Sequence, residues 1–98
     1  MMATRIYIAG PISGHPGHKA AFARAAEAIR RGGCEPVNPA DLDLGPKATW
    51  HDYMSAAQGL QRSCAATYML DGWTESTGAT IEWWVARALG HQIMGYPR

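Results

Sequence analysis

A glutamate and a tyrosine stand in the two stretches of this 98-residue sequence that most strongly suggest chemistry. Glu82 ends the run STGATIE (residues 76–82), which is typical of a loop that turns into a helix. Tyr7 lies in RIYIAGP (residues 5–11), which is typical of a buried strand that ends in a tight loop. In a parallel α/β sheet both segments open at the same edge, so a carboxylate, a phenol and a glycine-lined loop would share one crevice. That crevice is the predicted functional site.

The position of Glu82 on its predicted helix supports two interpretations. A helical wheel puts it at the edge of the core face, where a carboxylate that faces a pocket is a candidate nucleophile or base. A carboxylate so close to a helix N-terminus also stabilises the helix through its dipole, which requires no pocket. Trp83 is predicted to point away from the core, as an exposed indole at an interface does. The predicted core face consists of Gly78, Ile81, Val85, Ala88 and Leu89.

The segment GPISGHPG (residues 10–17) also has two interpretations. Its glycines would let the backbone approach a phosphate or sugar near the next helix N-terminus, or the segment is a plain turn. Its spacing matches neither GxGxxG nor the phosphate-loop pattern. Trp73 follows the third predicted strand, where an indole either stacks on a base or packs under its own loop. Trp50, Tyr53 and Met54 share a helical stripe and are predicted to be core, with a stacking platform as the alternative.

Seven predicted elements alternate between strand and helix. Short apolar runs bounded by glycine or proline predict strands, and apolar residues at helical spacing predict helices. This alternation favours a parallel sheet with helices on both faces, and residues 1–98 are predicted to form one domain. The predicted strands are 6–9, 34–37, 64–70 and 91–94, and the predicted helices are 18–31, 50–62 and 77–89, with 78 as an alternative start of the last.

Charge and composition exclude several classes of function. The formal net charge of +1 provides no basic face for a nucleic-acid polymer. No apolar run approaches the roughly 20 residues that a membrane span requires, and the N-terminus lacks the pattern of a signal peptide. Cys34 and Cys64 have no CxxC motif or nearby histidine pair, so they are predicted to be reduced, buried thiols of a cytoplasmic protein. The four histidines have no metal-ligand spacing, and no metal site is predicted.

Six short motifs follow one another along nearly the whole chain: IYIAGPISG (6–14), VNPAD (37–41), WHDYM (50–54), YMLDGW (68–73), ESTGATIE (75–82) and ALG (88–90). In this order they resemble the nucleoside 2-deoxyribosyltransferase-like superfamily. The closest likeness is to its small branch, which is often described only as a domain of unknown function. The resemblance implies a three-layer, flavodoxin-like or Rossmann-like α/β fold, in agreement with the predicted four-stranded parallel sheet.

The resemblance also implies a chemistry and a ligand. In the characterised members, a glutamate attacks the anomeric carbon of a deoxynucleoside and releases the base, and a second base or water then resolves the glycosyl-enzyme. Glu82 matches that glutamate, and Tyr7 matches the residue that holds it by a hydrogen bond. The ligand is then a nucleoside or nucleotide, no cofactor is expected, and a homodimer or homotetramer is predicted. The predicted substrate-binding residues are Gly10, Pro11, Ser13, Asp41, Trp73, Ser76 and Gly78.

This chain departs from the superfamily where an acid is needed. Superfamily enzymes often place aspartates at the positions that align with Ala57 and Ser76. Protonation of a leaving base requires an acid, so Asp41, Asp71 or Glu75 would serve, or no acid is present. The predicted function is an N-glycosidic-bond enzyme, either a deoxyribosyltransferase or a deoxynucleoside-monophosphate N-hydrolase. The alternatives are a catalytically silent nucleotide-binding module and, third, a structural oligomer without a ligand.

Overall fold

A four-stranded parallel sheet forms the centre of the computed structural model, which describes residues 3–97. The strands alternate with α-helices along the chain, which confirms the predicted α/β fold. The strands are β1 (Arg5–Ala9), β2 (Glu35–Val37), β3 (Ala66–Met69) and β4 (Gln92–Gly95), and the helices are α1 (His18–Arg31), α2 (Trp50–Arg62) and α3 (Thr77–Leu89).

The helices cover both faces of the sheet because successive side chains of a strand point to opposite sides. In β1, Ile6 and Ile8 pack with Phe22 of α1 in one apolar cluster. Tyr7 and Ala9 belong to a second cluster on the other side, where α2 and α3 lie. Because β1 is buried on both sides, its sequence is a continuous apolar run rather than an alternating one.

The strand order places two loops next to each other at the carboxyl edge of the sheet. The order is β2-β1-β3-β4, so the chain leaves β1 towards one side and later returns to its other side at β3. Residues 10–17 follow β1 and residues 70–76 follow β3. In open parallel sheets, ligands bind where the strand order reverses in this way.

The α-helices begin and end as predicted, whereas the bounds of all four strands differ from the predicted ones by one or two residues. The third strand covers four residues of the predicted 64–70. Two 3₁₀ helices, Pro39–Asp41 and Trp73–Glu75, lie in segments that were predicted to be irregular. Both follow closely after a strand, and their tight turns decide the direction in which the next side chains point.

The buried face of α3 is not the predicted one. It consists of Ala79, Glu82 and Ala86, whereas Leu89 of the predicted face is 42% exposed. Small side chains allow a helix to pack closely, while a helical wheel selects the largest apolar side chains. The prediction was wrong because Leu89 lies at the exposed end of the helix, and isolated apolar residues at a protein surface are common.

Three negative findings apply to residues 3–97. No helix in this part of the chain is long and apolar enough to cross a membrane. No group of three or more His, Cys, Asp and Glu side chains is arranged to hold a metal ion. Cys34 and Cys64 form no disulfide, and both are half-buried rather than fully buried as predicted.

Candidate functional site

A cavity of about 810 Å³ opens at the carboxyl edge of the sheet. Its walls come from the loop after β1, from the first turns of α2 with the segment before them, and from the start of α3. The cavity therefore lies beside the reversal in strand order, where an α/β fold usually binds its ligand. A concave space of this size accommodates a small organic molecule.

Tyr7 and Glu82 meet in the wall of this cavity although 75 residues separate them in the sequence. Tyr7 is fully buried in β1, and Glu82, in the second turn of α3, is only 5% exposed. The Tyr7 hydroxyl donates a hydrogen bond to Oε2 of Glu82. A buried carboxylate is costly without a polar partner, so this bond both stabilises Glu82 and orients it.

Burial dominates the electrostatics of the pair. It raises the pKa of Glu82 to about 7, although the hydrogen bond from Tyr7 acts in the opposite direction. Burial, together with the negative charge of Glu82, raises the pKa of Tyr7 far above its ordinary value. Near neutral pH, Glu82 therefore exchanges between its protonated and ionised forms, while Tyr7 keeps its proton and remains a donor.

The start of α3 brings backbone rather than bulky side chains to the cavity. Ser76 caps the helix, because its Oγ accepts a hydrogen bond of 3.2 Å from the backbone N–H of Ala79. At Gly78, an added Cβ would lie 3.2 Å from Sδ of Met54 in α2. The absence of a side chain at this position lets the two helices approach each other closely beside the cavity.

Most of the predicted site residues line the cavity: Tyr7, Gly10, Ser13, Ser76, Gly78 and Glu82. Pro11 and Asp41 do not line it, and their substrate contacts stay predictions. Pro11 lines a separate groove beside α1 and packs towards Gly72. The 3₁₀ turn at Pro39–Asp41 buries its proline and leaves Asp41 exposed, so that only Pro39 lines the cavity.

Trp73 packs in the core and does not line the cavity. Its indole is 2% exposed, and its Nε1–H donates a hydrogen bond of 2.9 Å to the backbone oxygen of Tyr96. The turn at Gly72 has φ +84°, which favours glycine, and the 3₁₀ helix that follows places the indole under its own loop. Of the two interpretations of Trp73, stacking on a base is therefore wrong, and packing under its loop is confirmed.

Trp83 also lies elsewhere than predicted. It stacks on Trp73 with ring centroids 5.7 Å apart and planes 14° apart, and it packs against the core cluster of that face. The guanidinium of Arg87 lies 5.2 Å from its ring centroid, in a cation–π arrangement. Trp83 is therefore not an exposed interface residue, and the homodimer or homotetramer, which the resemblance suggested independently, stays a prediction.

Sequence patterns missed the wall that α2 contributes. Trp50, Tyr53 and Met54 were predicted to be core, but they line the cavity, and Trp50 is 44% exposed. A capping box of Thr49 and Asp52 holds the start of this helix beside the cavity. The signal was present in the topology: a helix that follows a parallel strand begins at the strands' carboxyl edge, so its first turns face the ligand.

Fewer carboxylic acids line the cavity than the sequence analysis proposed as proton donors. Ala57 and Ser76, which align with the superfamily's aspartates, both line the cavity without supplying a carboxyl. Of the three acids that could replace them, Glu75 alone lines it, whereas Asp71 borders the groove beside α1. His15 is a further titratable side chain at the cavity, and sequence patterns did not single it out.

Solved structures with similar folds are 2-deoxyribosyltransferases and a conserved protein. The enzyme from Leishmania mexicana has a TM-score of 0.73 at 21% identity, covering 95% of this chain and 63% of that chain. The one from Bacillus psychrosaccharolyticus has a TM-score of 0.73 at 18% identity, covering 94% and 71%. A conserved protein from Enterococcus faecalis V583 has a TM-score of 0.70 at 22% identity, covering 97% and 63%. The fold is thus that of the 2-deoxyribosyltransferases, in a chain that spans about two thirds of their length.

The sequence itself identifies the family. Residues 4–95 match DUF4406, a domain of unknown function, and the chain belongs to this family. No curated protein has a sequence that matches it. Family and fold together confirm the resemblance to a branch of the nucleoside 2-deoxyribosyltransferase-like superfamily that is described only as a domain of unknown function.

Proposed function

We propose that this protein cleaves the N-glycosidic bond of a deoxynucleoside or of its 5′-monophosphate, with Glu82 as the nucleophile. The observation that carries the proposal is the carboxylate itself. Glu82 is buried, lines the cavity and accepts a hydrogen bond from Tyr7. A glutamate whose only function is to stabilise a helix N-terminus gains nothing from burial, because desolvation opposes its charge.

The reaction divides into two displacements at the anomeric carbon of the sugar. The ionised carboxylate of Glu82 attacks C1′, the bond from C1′ to the base nitrogen breaks, and the base leaves with the electron pair. A glycosyl ester on Glu82 results. In hydrolysis, water then attacks C1′, the ester bond breaks, and the two protons of water end on the sugar hydroxyl and on the base. In transfer, the nitrogen of a second base takes the place of water and loses its proton.

Tyr7 orients the nucleophile and favours its ionised form. Its hydroxyl bonds Oε2, so Oε1 of Glu82 is the oxygen assigned to the attack. Because the hydroxyl stabilises the carboxylate, Tyr7 keeps the fraction of ionised Glu82 near neutral pH higher than burial alone would allow. Alignment of a carboxylate oxygen with C1′ is the main contribution that a rigid wall makes to such a step.

The two sides of the cavity suit the two parts of a nucleoside. Trp50, Tyr53 and Met54 provide an aromatic and apolar wall for a planar base. Ser13 and Ser76 provide hydroxyls for the sugar or for its 5′-phosphate. The ligand class of the proposal is therefore a nucleoside or nucleotide, bound without a cofactor.

A catalytically silent nucleotide-binding module is the second candidate function. The observation that favours it is the absence of a carboxyl at Ala57 and Ser76, in the wall of the cavity. In the enzyme, the proton for the departing base would have to come from Glu75 or His15. A module would retain the binding of nucleotides and would release no base.

A substrate panel distinguishes the two. Wild-type protein and Glu82→Ala are incubated with deoxynucleosides and their 5′-monophosphates, and the released base is measured by chromatography. We expect release by the wild type and none by Glu82→Ala, while the control Glu27→Ala, at an exposed position of α1, behaves as the wild type. Nucleotide binding without any release would favour the module. If no nucleotide shifts the melting temperature, the proposed ligand class is wrong.

A further inference from the structure

A buried polar network contacts the backbone of Glu82. Gln61 of α2 and Thr67 of β3 are both fully buried. Nε2 of Gln61 donates a hydrogen bond of 2.8 Å to the backbone oxygen of Glu82 and another of 3.2 Å to Oγ1 of Thr67. Oγ1 of Thr67 in turn lies 2.9 Å from Nδ1 of His91, just beyond α3. The network therefore joins α2, β3 and both the middle and the end of α3.

The amide of Gln61 can take only one orientation. Nε2 faces the Glu82 carbonyl, and a flipped amide would instead direct Oε1 at another oxygen. In the observed orientation, Oε1 is buried and accepts no hydrogen bond within residues 3–97. A buried, unpaired acceptor destabilises a fold, and an apolar side chain of the same length would lack that acceptor. Stability alone therefore does not give the reason for a glutamine at position 61.

The geometry supplies that reason, because the network connects the two residues of the candidate pair. Thr67 is the direct neighbour of Tyr7 in the parallel register of β1 and β3. Gln61 reaches from Thr67 to the backbone of Glu82. The strand pair that carries Tyr7 and the helix that carries Glu82 are therefore fastened to each other by one side chain.

We infer that Gln61 is a positioning residue. It holds the backbone of Glu82 in the place from which the carboxylate accepts the hydrogen bond from the Tyr7 hydroxyl at the cavity. Its effect on catalysis rests on the proposed function. Its effect on the Tyr7–Glu82 contact does not, and the two are measured separately.

The test uses Gln61→Met, which keeps the length of the side chain and removes its polar atoms. Gln58→Met is the matched control, because Gln58 lies one turn earlier on α2 and lines no part of the cavity. The titration of Glu82 is followed by carbon NMR of the protein labelled in its glutamate carboxyls, with Glu82→Gln identifying the resonance. Melting temperature and, for a substrate of the wild type, kcat and KM are measured on the same samples.

For Gln61→Met we expect a melting temperature equal to or above that of the wild type, because the unpaired Oε1 is gone. The Glu82 midpoint should rise, because the hydrogen bond from Tyr7 that lowers it is weakened. The kcat for base release should fall about tenfold with KM nearly unchanged, since positioning acts on the transition state. Gln58→Met should leave the midpoint and kcat unchanged.

An unchanged Glu82 midpoint and kcat in Gln61→Met would overturn the inference, and so would a lower melting temperature that accounts for the lost activity. If Gln61→Met does not fold, Thr67→Val tests the same link, since it removes the hydroxyl that Gln61 bonds and keeps the side-chain shape. It should again raise the Glu82 midpoint. A raised midpoint in a protein whose wild type releases no base would support the positioning of Glu82 and contradict the proposed function instead.

Discussion

The two faces of the sheet carry alternate residues of the same strands, yet they bury different kinds of side chain. On the face under α1, the buried side chains form one apolar cluster that includes Ile6, Ile8 and Phe22. On the face under α2 and α3 lie the buried polar and charged residues of the described chain, Gln61, Thr67 and Glu82, together with the Tyr7 hydroxyl.

This difference indicates a division of roles between the two faces. Burial of apolar side chains stabilises a domain by about 25 cal/mol per Å², and the α1 face consists of little else. Burial of a carboxylate costs free energy, and the apolar clusters of both faces offset that cost. This cost falls at the wall of the cavity, which Glu82 lines.

The largest effect should come from a cavity on the apolar face. Phe22→Ala removes a fully buried ring under α1 and should lower the free energy of unfolding by about 3–5 kcal/mol in urea titrations. Because Phe22 belongs to the opposite face, the pH midpoint of Glu82 should not change in the protein that remains folded. A midpoint that moved with Phe22→Ala would show that the two faces are not independent.

A smaller effect of opposite sign is expected from Glu82→Gln. The pKa of Glu82 is about 7 in the folded protein and about 4.5 in the unfolded chain. Between these values only the folded state holds the proton, so the stability of the wild type falls as the pH rises from 4.5 to 7. Well above pH 7, the free energy of unfolding of Glu82→Gln should therefore exceed that of the wild type by roughly 3 kcal/mol, and near pH 4.5 the difference should vanish.

The measurement is thermal or urea unfolding of both proteins at several pH values. Glu27→Gln is the control, because Glu27 is exposed on α1 and pairs with Arg30 and Arg31 at the surface. It should show no gain in stability centred between pH 4.5 and 7. A Glu82→Gln protein that is less stable than the wild type at pH 8 would contradict the assignment of the cost to the α2 and α3 face.

The smallest effect should follow from Tyr7→Phe, which removes only the hydroxyl that bonds Glu82. The hydroxyl stabilises the ionised carboxylate, so its loss should raise the Glu82 midpoint by about one unit in carbon NMR titrations. Any pH dependence of base release should move in the same direction. Tyr53→Phe is the matched control, because its phenol lines the cavity and accepts a hydrogen bond from the backbone N–H of Leu44 instead. An equal shift of the Glu82 midpoint in both variants would refute the specific role of Tyr7.

Much of the fold could be predicted because it depends on local patterns. Apolar runs and helical spacing predicted the alternation of elements, and the bounds of α1, α2 and α3 agree with it. Alternation of short buried strands and helices leaves few topologies besides a parallel sheet. The approach of Tyr7 and Glu82 followed from that topology, since the carboxyl ends of parallel strands and the starts of the following helices share one edge.

The rotation of each element about its own axis could not be predicted in the same way. A hydrophobic pattern reports which side chains are apolar, whereas burial depends on how closely the neighbouring element packs. For this reason α3 buries Ala79 and Ala86 instead of Leu89, and Trp73 turns inward onto Trp83.

Local sequence patterns were therefore sufficient to predict the class of fold, the order of the elements and the edge at which Glu82 lies, because these follow from interactions between near neighbours in the chain. The tertiary structure was needed to show that α2 forms a cavity wall and that Gln61 reaches the Glu82 carbonyl, and it contains the hydrogen bond from Tyr7 to Glu82 that the resemblance implied. Those contacts join residues 21 to 75 positions apart. Their existence depends on helix rotation and spacing, which are set by the packing of the whole domain.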